Sequence, residues 1–113
     1  MWLFTTEGMV TVEKIMELKN TLLLRAETID PLNYLVTRFG TELTYTTPHV
    51  SSDDQGPAFQ LVCNKNKLAF CIGRMVADID YSNLKAAVAE DDLDPDYYEA
   101  LVAVEKRMKE SVE

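Results

Sequence analysis

The chain has 113 residues, of which 47% are apolar, and a formal net charge of −8. A chain of this length can bury a core without cross-links, and this apolar fraction excludes a largely disordered protein. The charge is uneven: residues 1–77 contain 8 acidic and 7 basic residues, whereas residues 78–113 contain 11 acidic and 4 basic residues. Because an acidic surface repels phosphate groups, we expect no direct binding to nucleic acid.

The sequence shows no signal for secretion or membrane insertion. The N-terminus lacks a basic flank, an apolar run and a small-residue cleavage site, and no apolar run approaches the roughly 20 residues that cross a bilayer. Cys63 and Cys71 are the only cysteines, and we expect both to be reduced thiols in the core. The sequence therefore predicts a cytoplasmic protein without membrane contact.

The N-terminal part predicts β-structure. Runs rich in aromatic, apolar and β-branched residues cover residues 2–6, 9–15 and 21–26. Glu7-Gly8 and Lys19-Asn20 supply the turns between them. Alternation in the second run places Val10 and Val12 on one side. A helix over residues 12–20 also fits the spacing, but the hairpin is favoured.

The first helix has a clear beginning and end. Asp30 is the predicted cap, followed by Pro31 at the first helical position, and Gly40 is predicted to end the helix in a left-handed conformation. The apolar stripe consists of Leu32, Leu35, Val36 and Phe39. Tyr34 and Arg38 lie off this stripe at a spacing of i and i+4, which predicts a contact between them.

Two further alternating runs, residues 42–47 and 58–63, predict an antiparallel pair of strands. The first of these places Leu43, Tyr45 and Thr47 on one face. Between the runs, the polar segment Pro48–Pro57 is a predicted loop that contains His49. A histidine in a solvated loop lacks the fixed neighbours that catalysis needs, so we expect no catalytic role for it.

The remaining elements are helical. A second helix is predicted to begin after Asn64 or Asn66, with Gly73 as its weakest position. Its predicted buried face comprises Leu68, Cys71, Ile72, Met75, Val76 and Ile79. A short helix follows from near Ser82, and a last helix begins at Asp94-Pro95. The stripe of the last helix comprises Tyr97, Leu101, Val104, Met108 and Val112.

These patterns predict one α+β domain spanning residues 1–113. We expect an antiparallel sheet of about four or five strands, ferredoxin-like, with helices on one face and a helical C-terminal part. The predicted core includes Leu35, Phe39, Leu61, Ile72, Met75, Leu101 and Val104. Helices on only one face would leave an apolar surface with Trp2, Phe4, Val10 and Val12, and this predicts a homodimer through the sheet or its edge.

The segment 78–85 is the best candidate for a functional site, because it gathers carboxylates, a phenol, an amide and an ammonium group. The candidate binding residues are Asp78, Asp80, Tyr81, Asn83 and Lys85. A polar pocket or a partner-binding edge is one interpretation. The favoured interpretation is a capped helix start, with a carboxylate or hydroxyl as the cap, since these side chains readily bond to local backbone groups.

The chain resembles an uncharacterised family of short bacterial proteins. That family opens with Met-Trp-(Ile/Leu)-Phe-Thr, two residues and Gly, as residues 1–8 do here, and has a strand ending Arg-Ala before its first helix, like residues 22–26. Its Asp-Tyr-x-Asn-(Phe/Leu)-Lys element corresponds to residues 80–85. Met9, Leu84 and a longer loop after Pro48 depart from the pattern. The resemblance supports the fold and the domain limits and implies no activity.

The residues favour a non-catalytic protein that acts through protein–protein contacts, as a homodimer or with another protein. We predict no enzyme activity, no cofactor and no metal site, because phosphate-loop, zinc and EF-hand spacings are missing. One alternative is an enzyme or small-ligand binder with its site at residues 78–85. Another is an acidic antagonist of a nucleic-acid-binding protein, acting through the acids of residues 90–96.

Overall fold

A computed structural model of the chain describes residues 1–40, 42–43, 48–50, 58–91 and 95–112. The chain forms two compact units, Met1–Ile79 and Asp80–Glu113. The predicted strand positions Tyr45 and Thr47, most of the predicted loop and the acidic Asp92 and Asp94 lie outside the described residues. The prediction of one domain over the whole chain stays a prediction.

The first unit contains an antiparallel sheet. Its described strands are β1 (Trp2–Thr5), β2 (Gly8–Lys14), β3 (Thr21–Ala26), β4 (His49–Val50) and β5 (Phe59–Asn64), in the spatial order β1-β2-β3-β5-β4. The predicted β2–β3 hairpin is confirmed, with Val12 opposite Leu24. The predicted loop was wrong at His49 and Val50, because these residues pair with the outer edge of β5.

A glycine with positive φ makes the turn between β1 and β2 tight. Gly8 has φ 141°, a conformation that residues with a side chain rarely adopt. Thr5 supports the turn, since its Oγ1 donates to the Gly8 carbonyl at 2.8 Å and accepts from the Glu7 N–H at 3.1 Å. A Cβ at Gly8 would also lie 3.1 Å from Cγ of Pro31. The backbone conformation therefore requires glycine here, and the packing leaves little room for a side chain.

The described residues form four helices, α1 (Asp30–Phe39), α2 (Lys65–Ala77), α3 (Leu84–Asp91) and α4 (Pro95–Val112). Asn64, one of the two residues predicted as the cap, caps α2. Its Oδ1 accepts from the Lys67 N–H at 3.0 Å. The short helix α3 begins at Leu84, two positions later than predicted, because Asn83 supplies its cap. Asn83 therefore decides where α3 starts.

Both predicted ends of α1 were wrong in detail. Asp30 is the first helical residue and the preceding Ile29 makes no side-chain cap hydrogen bond, so the Asp30 carboxylate contributes only its charge at the positive helix end. Gly40 has φ −57°, a right-handed conformation. The chain continues to turn after Gly40, because the N–H groups of Glu42 and Leu43 both donate to the Phe39 carbonyl at 2.9 Å.

Helices α1 and α2 pack on the same face of the sheet, and the core of the first unit lies between. Its buried residues are Val10, Val12, Leu24, Ala26, Leu32, Leu35, Phe39, Leu43, Leu61, Cys63, Leu68 and Cys71. Burial of Leu35, Phe39 and Leu61 confirms the prediction for those positions. Ile72 and Met75 are only partly buried and pack against the margin of this core.

Two parts of the predicted buried faces are exposed. Val76 lies beside the stripe of α2 that contacts the sheet, and Ile79 follows the end of that helix; both are exposed. The predicted face of α2 was therefore too broad. Met108 of α4 is exposed as well. Because α3 has only 8 residues and α4 has 18, α3 is too short to cover the whole of α4.

In the second unit α3 and α4 pack against each other, with Val88, Tyr97 and Leu101 buried and Val104 half-buried. The described elements run βββαββααα, which confirms the predicted α+β class, the antiparallel sheet and the helical C-terminal part. Ferredoxin-like domains have the order βαββαβ. The likeness to them is therefore limited to helices lying on one face of an antiparallel sheet.

Candidate functional site

The predicted site residues do not belong to one unit. Asp78 lies in the first unit, whereas Asp80, Tyr81, Asn83 and Lys85 lie in the second. Asp80 is exposed and Tyr81 is half-buried. The roles of the other three follow from their hydrogen bonds and ion pairs within each unit.

Asp78 ends α2 and ties it to α1. Its backbone N–H donates to the Arg74 carbonyl at 3.0 Å, which closes the last turn of the helix. Its carboxylate accepts from the Arg38 guanidinium, and Arg38 also donates to the Tyr34 hydroxyl. The Tyr34–Arg38 contact was predicted from the i, i+4 spacing and is confirmed.

The Arg38 guanidinium carries a permanent positive charge. Its pKa is raised, mainly by the hydrogen bond with Tyr34; desolvation opposes this effect, and the proximity of the Asp78 carboxylate adds to it. It also lies 5.0 Å from the centre of the Phe39 ring, a distance at which a cation is attracted to the ring face. Such a cation can hold two helices together or bind a carboxylate. Because it does not lose a proton, it cannot act as a general acid.

Asn83 and Lys85 stabilise the second unit. Asn83 Oδ1 accepts from the Ala86 N–H at 3.0 Å, which makes it the cap of α3 in place of the predicted carboxylate or hydroxyl. Lys85 Nζ lies 3.4 Å from Oε2 of Glu105, and Lys109 Nζ lies 3.3 Å from Oε1 of the same residue. Lys109 and Lys85 together lower the pKa of Glu105. These contacts fix a helix start and join two helices.

The surroundings of the two cysteines and the histidine are those of structural residues. Cys63 and Cys71 are free and buried, and burial raises the pKa of Cys63 to about 11 and raises that of Cys71. A thiol with a raised pKa is a poor nucleophile at neutral pH. His49 lies on the edge strand β4, with its Nε2 3.0 Å from the Gln60 side-chain nitrogen.

The first unit has a second sheet face, opposite the face that α1 and α2 cover. Residues that lie directly opposite each other on paired strands share a face, and the register places Trp2 beside Thr11, Phe4 beside Met9, and Leu23 beside Val62. We call this surface the open sheet face; by the register it comprises Trp2, Phe4, Met9, Thr11, Glu13, Thr21, Leu23, Arg25, His49, Gln60, Val62 and Asn64.

The open sheet face is apolar at the β1 end. Trp2 is 64% exposed, and its ring centre lies 6.4 Å from that of Phe4. Sequence analysis found these two residues but wrongly grouped them with Val10 and Val12, which are buried under α1 and α2. The alternation of β2 was read correctly, but only the register of the β1–β2 turn shows that Met9 and Thr11 are the neighbours of Phe4 and Trp2.

Comparison with protein families, with curated proteins and with solved structures finds no significant match for this chain. The resemblance to the family of short bacterial proteins therefore stays a prediction. Among the described residues, no helix is both long and apolar enough to span a bilayer. The same part of the chain contains no group of three or more His, Cys, Asp or Glu residues that could hold a metal ion.

Proposed function

We propose that this is a cytoplasmic, non-catalytic protein that acts through protein–protein contacts made by its open sheet face. The observation that carries the proposal is the exposed Trp2, 64% accessible and adjacent to Phe4, on a face opposite the helices of its unit. Exposed apolar patches commonly mark contact surfaces, and Trp and Arg are enriched among residues that dominate binding energy. Arg25 lies on the same face.

The charge of the first unit fits this role. Residues 1–79 carry a net charge of −2, the difference between 7 basic and 9 acidic residues. A nearly neutral unit with an apolar face suits another protein, or a second copy of this chain, better than a nucleic acid.

The residues of segment 78–85 lend little support to the alternative of an enzyme. Asp78 and Lys85 are each paired with an opposite charge, and Asn83 caps a helix. A catalytic group needs a substrate within hydrogen-bond reach, whereas these groups already have structural partners. The acidic antagonist remains a second hypothesis, because the side chains of residues 90–94 lie outside the described part of the chain.

The proposal is tested by affinity capture from cells of the source organism. The tag belongs at the C-terminus, because the Met1 ammonium group donates to the Val12 carbonyl at 3.0 Å and would be displaced by an N-terminal tag. Trp2→Asp is compared with Met16→Asp, a control at an apolar residue that is 86% exposed and lies in the β2–β3 turn. We expect Trp2→Asp alone to lose the captured partner. Equal capture by both variants would contradict the proposal.

A further inference from the structure

Strand β1 forms one edge of the sheet. It pairs with β2 on one side, and no strand in the described part of the first unit pairs with its other side. Proteins commonly protect such an edge with charged side chains or proline, because unpaired backbone groups attract another strand. The residues of β1, Trp-Leu-Phe-Thr, include neither. This edge is therefore open to a further strand.

The hydrogen bonds between β1 and β2 show which backbone groups of β1 point outward. The Val12 N–H donates to the Met1 carbonyl at 2.8 Å, and in an antiparallel pair every second residue bonds to the same neighbouring strand. Leu3 therefore also bonds to β2, whereas the N–H and C=O groups of Trp2 and Phe4 point away from the sheet. These are the groups that an added strand would pair with.

A second β1 can pair with all of these groups in one antiparallel register. Because outward residues must lie opposite outward residues, Trp2 of each copy pairs with Phe4 of the other. Leu3 then lies opposite Leu3 of the second copy, and a two-fold axis passes between them. Any other register leaves Trp2 or Phe4 of each copy without a partner in the opposite β1.

The side chains favour a second copy as the source of the added strand, because β1 is its own complement. Trp2 and Phe4 form a cross-strand aromatic pair on each side of the axis, and such pairs stabilise sheets. On the other face Leu3, half-buried against the core, meets its counterpart. The charges beside β1, the Met1 ammonium group and Glu7, have opposite signs and lie at opposite ends of the strand. The antiparallel arrangement therefore brings neither charge beside its like.

We propose that two copies of this chain associate through antiparallel pairing of their β1 edges. The sheet then continues from one copy into the other, with the open sheet faces of both copies on the same side. One short strand per copy is a small interface, so the dissociation constant is on the order of 100 µM. The inference does not depend on the proposed function, since binding of another protein to the open sheet face requires no second copy.

Amide hydrogen exchange of the wild type, followed by NMR at about 20 µM and about 1 mM, tests the proposal because this range brackets such an affinity. We expect the outward amides of Trp2 and Phe4 to exchange about threefold or more slowly at the higher concentration. The Leu3 amide, bonded to β2, is the internal control and should change less. Exchange of the Trp2 and Phe4 amides that is independent of concentration would overturn the proposal, whether the protein is a monomer or a dimer joined elsewhere.

Disulfide trapping tests the register. The two Leu3 residues form a pair without hydrogen bonds between them, in which Cα atoms lie about 4.5 Å apart, so Leu3→Cys should join two chains under mild oxidation. Trp2→Cys is the matched control at a more exposed position. The two Trp2 residues lie diagonally, about 7–8 Å apart, which is too far for a disulfide.

The native Cys63 and Cys71 are buried, so the wild type should not cross-link. A circular dichroism spectrum unchanged from that of the wild type shows that each variant folds. Failure of a folded Leu3→Cys to cross-link, or cross-linking of Trp2→Cys to the same extent, would overturn the proposal.

Discussion

Arg38 of α1 and Asp78 at the end of α2 form an ion pair between residues 40 positions apart in sequence. The pair joins the ends of the two helices that cover the sheet. It also gives the Asp78 carboxylate a structural partner within the first unit. Segment 78–85, the best candidate for a functional site in the sequence, therefore begins with a residue that stabilises the fold.

The cap of α3 gives the first prediction. Asn83→Ala removes the side-chain oxygen that accepts from the Ala86 N–H, so we expect the free energy of unfolding to fall by about 0.5–2 kcal/mol. Asp80→Ala, at an exposed position outside the helix, should change it by less than about 0.5 kcal/mol. Urea unfolding monitored by circular dichroism measures both. A larger loss for Asp80→Ala than for Asn83→Ala would contradict this assignment.

Two phenylalanines test the core. Phe39 is 1% exposed, so Phe39→Ala should cost about 3–5 kcal/mol of stability through lost burial and a new cavity. Phe70→Ala removes the same group from an exposed helix position and should cost well under 1 kcal/mol when measured in dilute solution. Equal losses in denaturant unfolding would mean that α1 does not face the core.

The sequence predicted what depends on near neighbours in the chain. Asn64 capped its helix because the cap bonds to a residue three positions on, and the β2–β3 hairpin followed from alternation around a turn. The Arg38–Asp78 pair was missed, since nothing local specifies contacts between residues far apart in sequence. Periodicity likewise placed Val76 on the apolar face of α2, but it did not indicate how much of that face the sheet covers.

Two glycines should respond in opposite ways to the same substitution. Gly8→Ala forces a side chain into φ 141° and within 3.1 Å of Pro31, so we expect a loss of about 1–3 kcal/mol. Gly73→Ala adds a methyl group to open space in a helix and should gain up to about 1 kcal/mol. Thermal and urea unfolding of the two variants provide the comparison. A stabilising Gly8→Ala would refute the conformation of the β1–β2 turn.

The buried thiol of Cys63 predicts a pH dependence at the alkaline end. Burial raises its pKa from 9.0 to about 11, so between these values the unfolded chain has lost the thiol proton and the folded chain retains it. The free energy of unfolding therefore falls as the pH rises through this range. Cys63→Ala removes this titrating group and should make the decline shallower, leaving the part that Cys71 contributes. An identical decline in wild type and variant would assign the effect to other groups.

The most direct test of the account is the affinity of the captured partner for the wild type, Trp2→Asp and Met16→Asp, measured by calorimetry with purified proteins. If the open sheet face is the functional contact surface, Trp2→Asp should weaken binding at least about thirtyfold, as expected for a dominant aromatic anchor, while Met16→Asp binds like the wild type. Wild-type affinity for Trp2→Asp, in a variant whose circular dichroism spectrum is unchanged, would contradict the central claim.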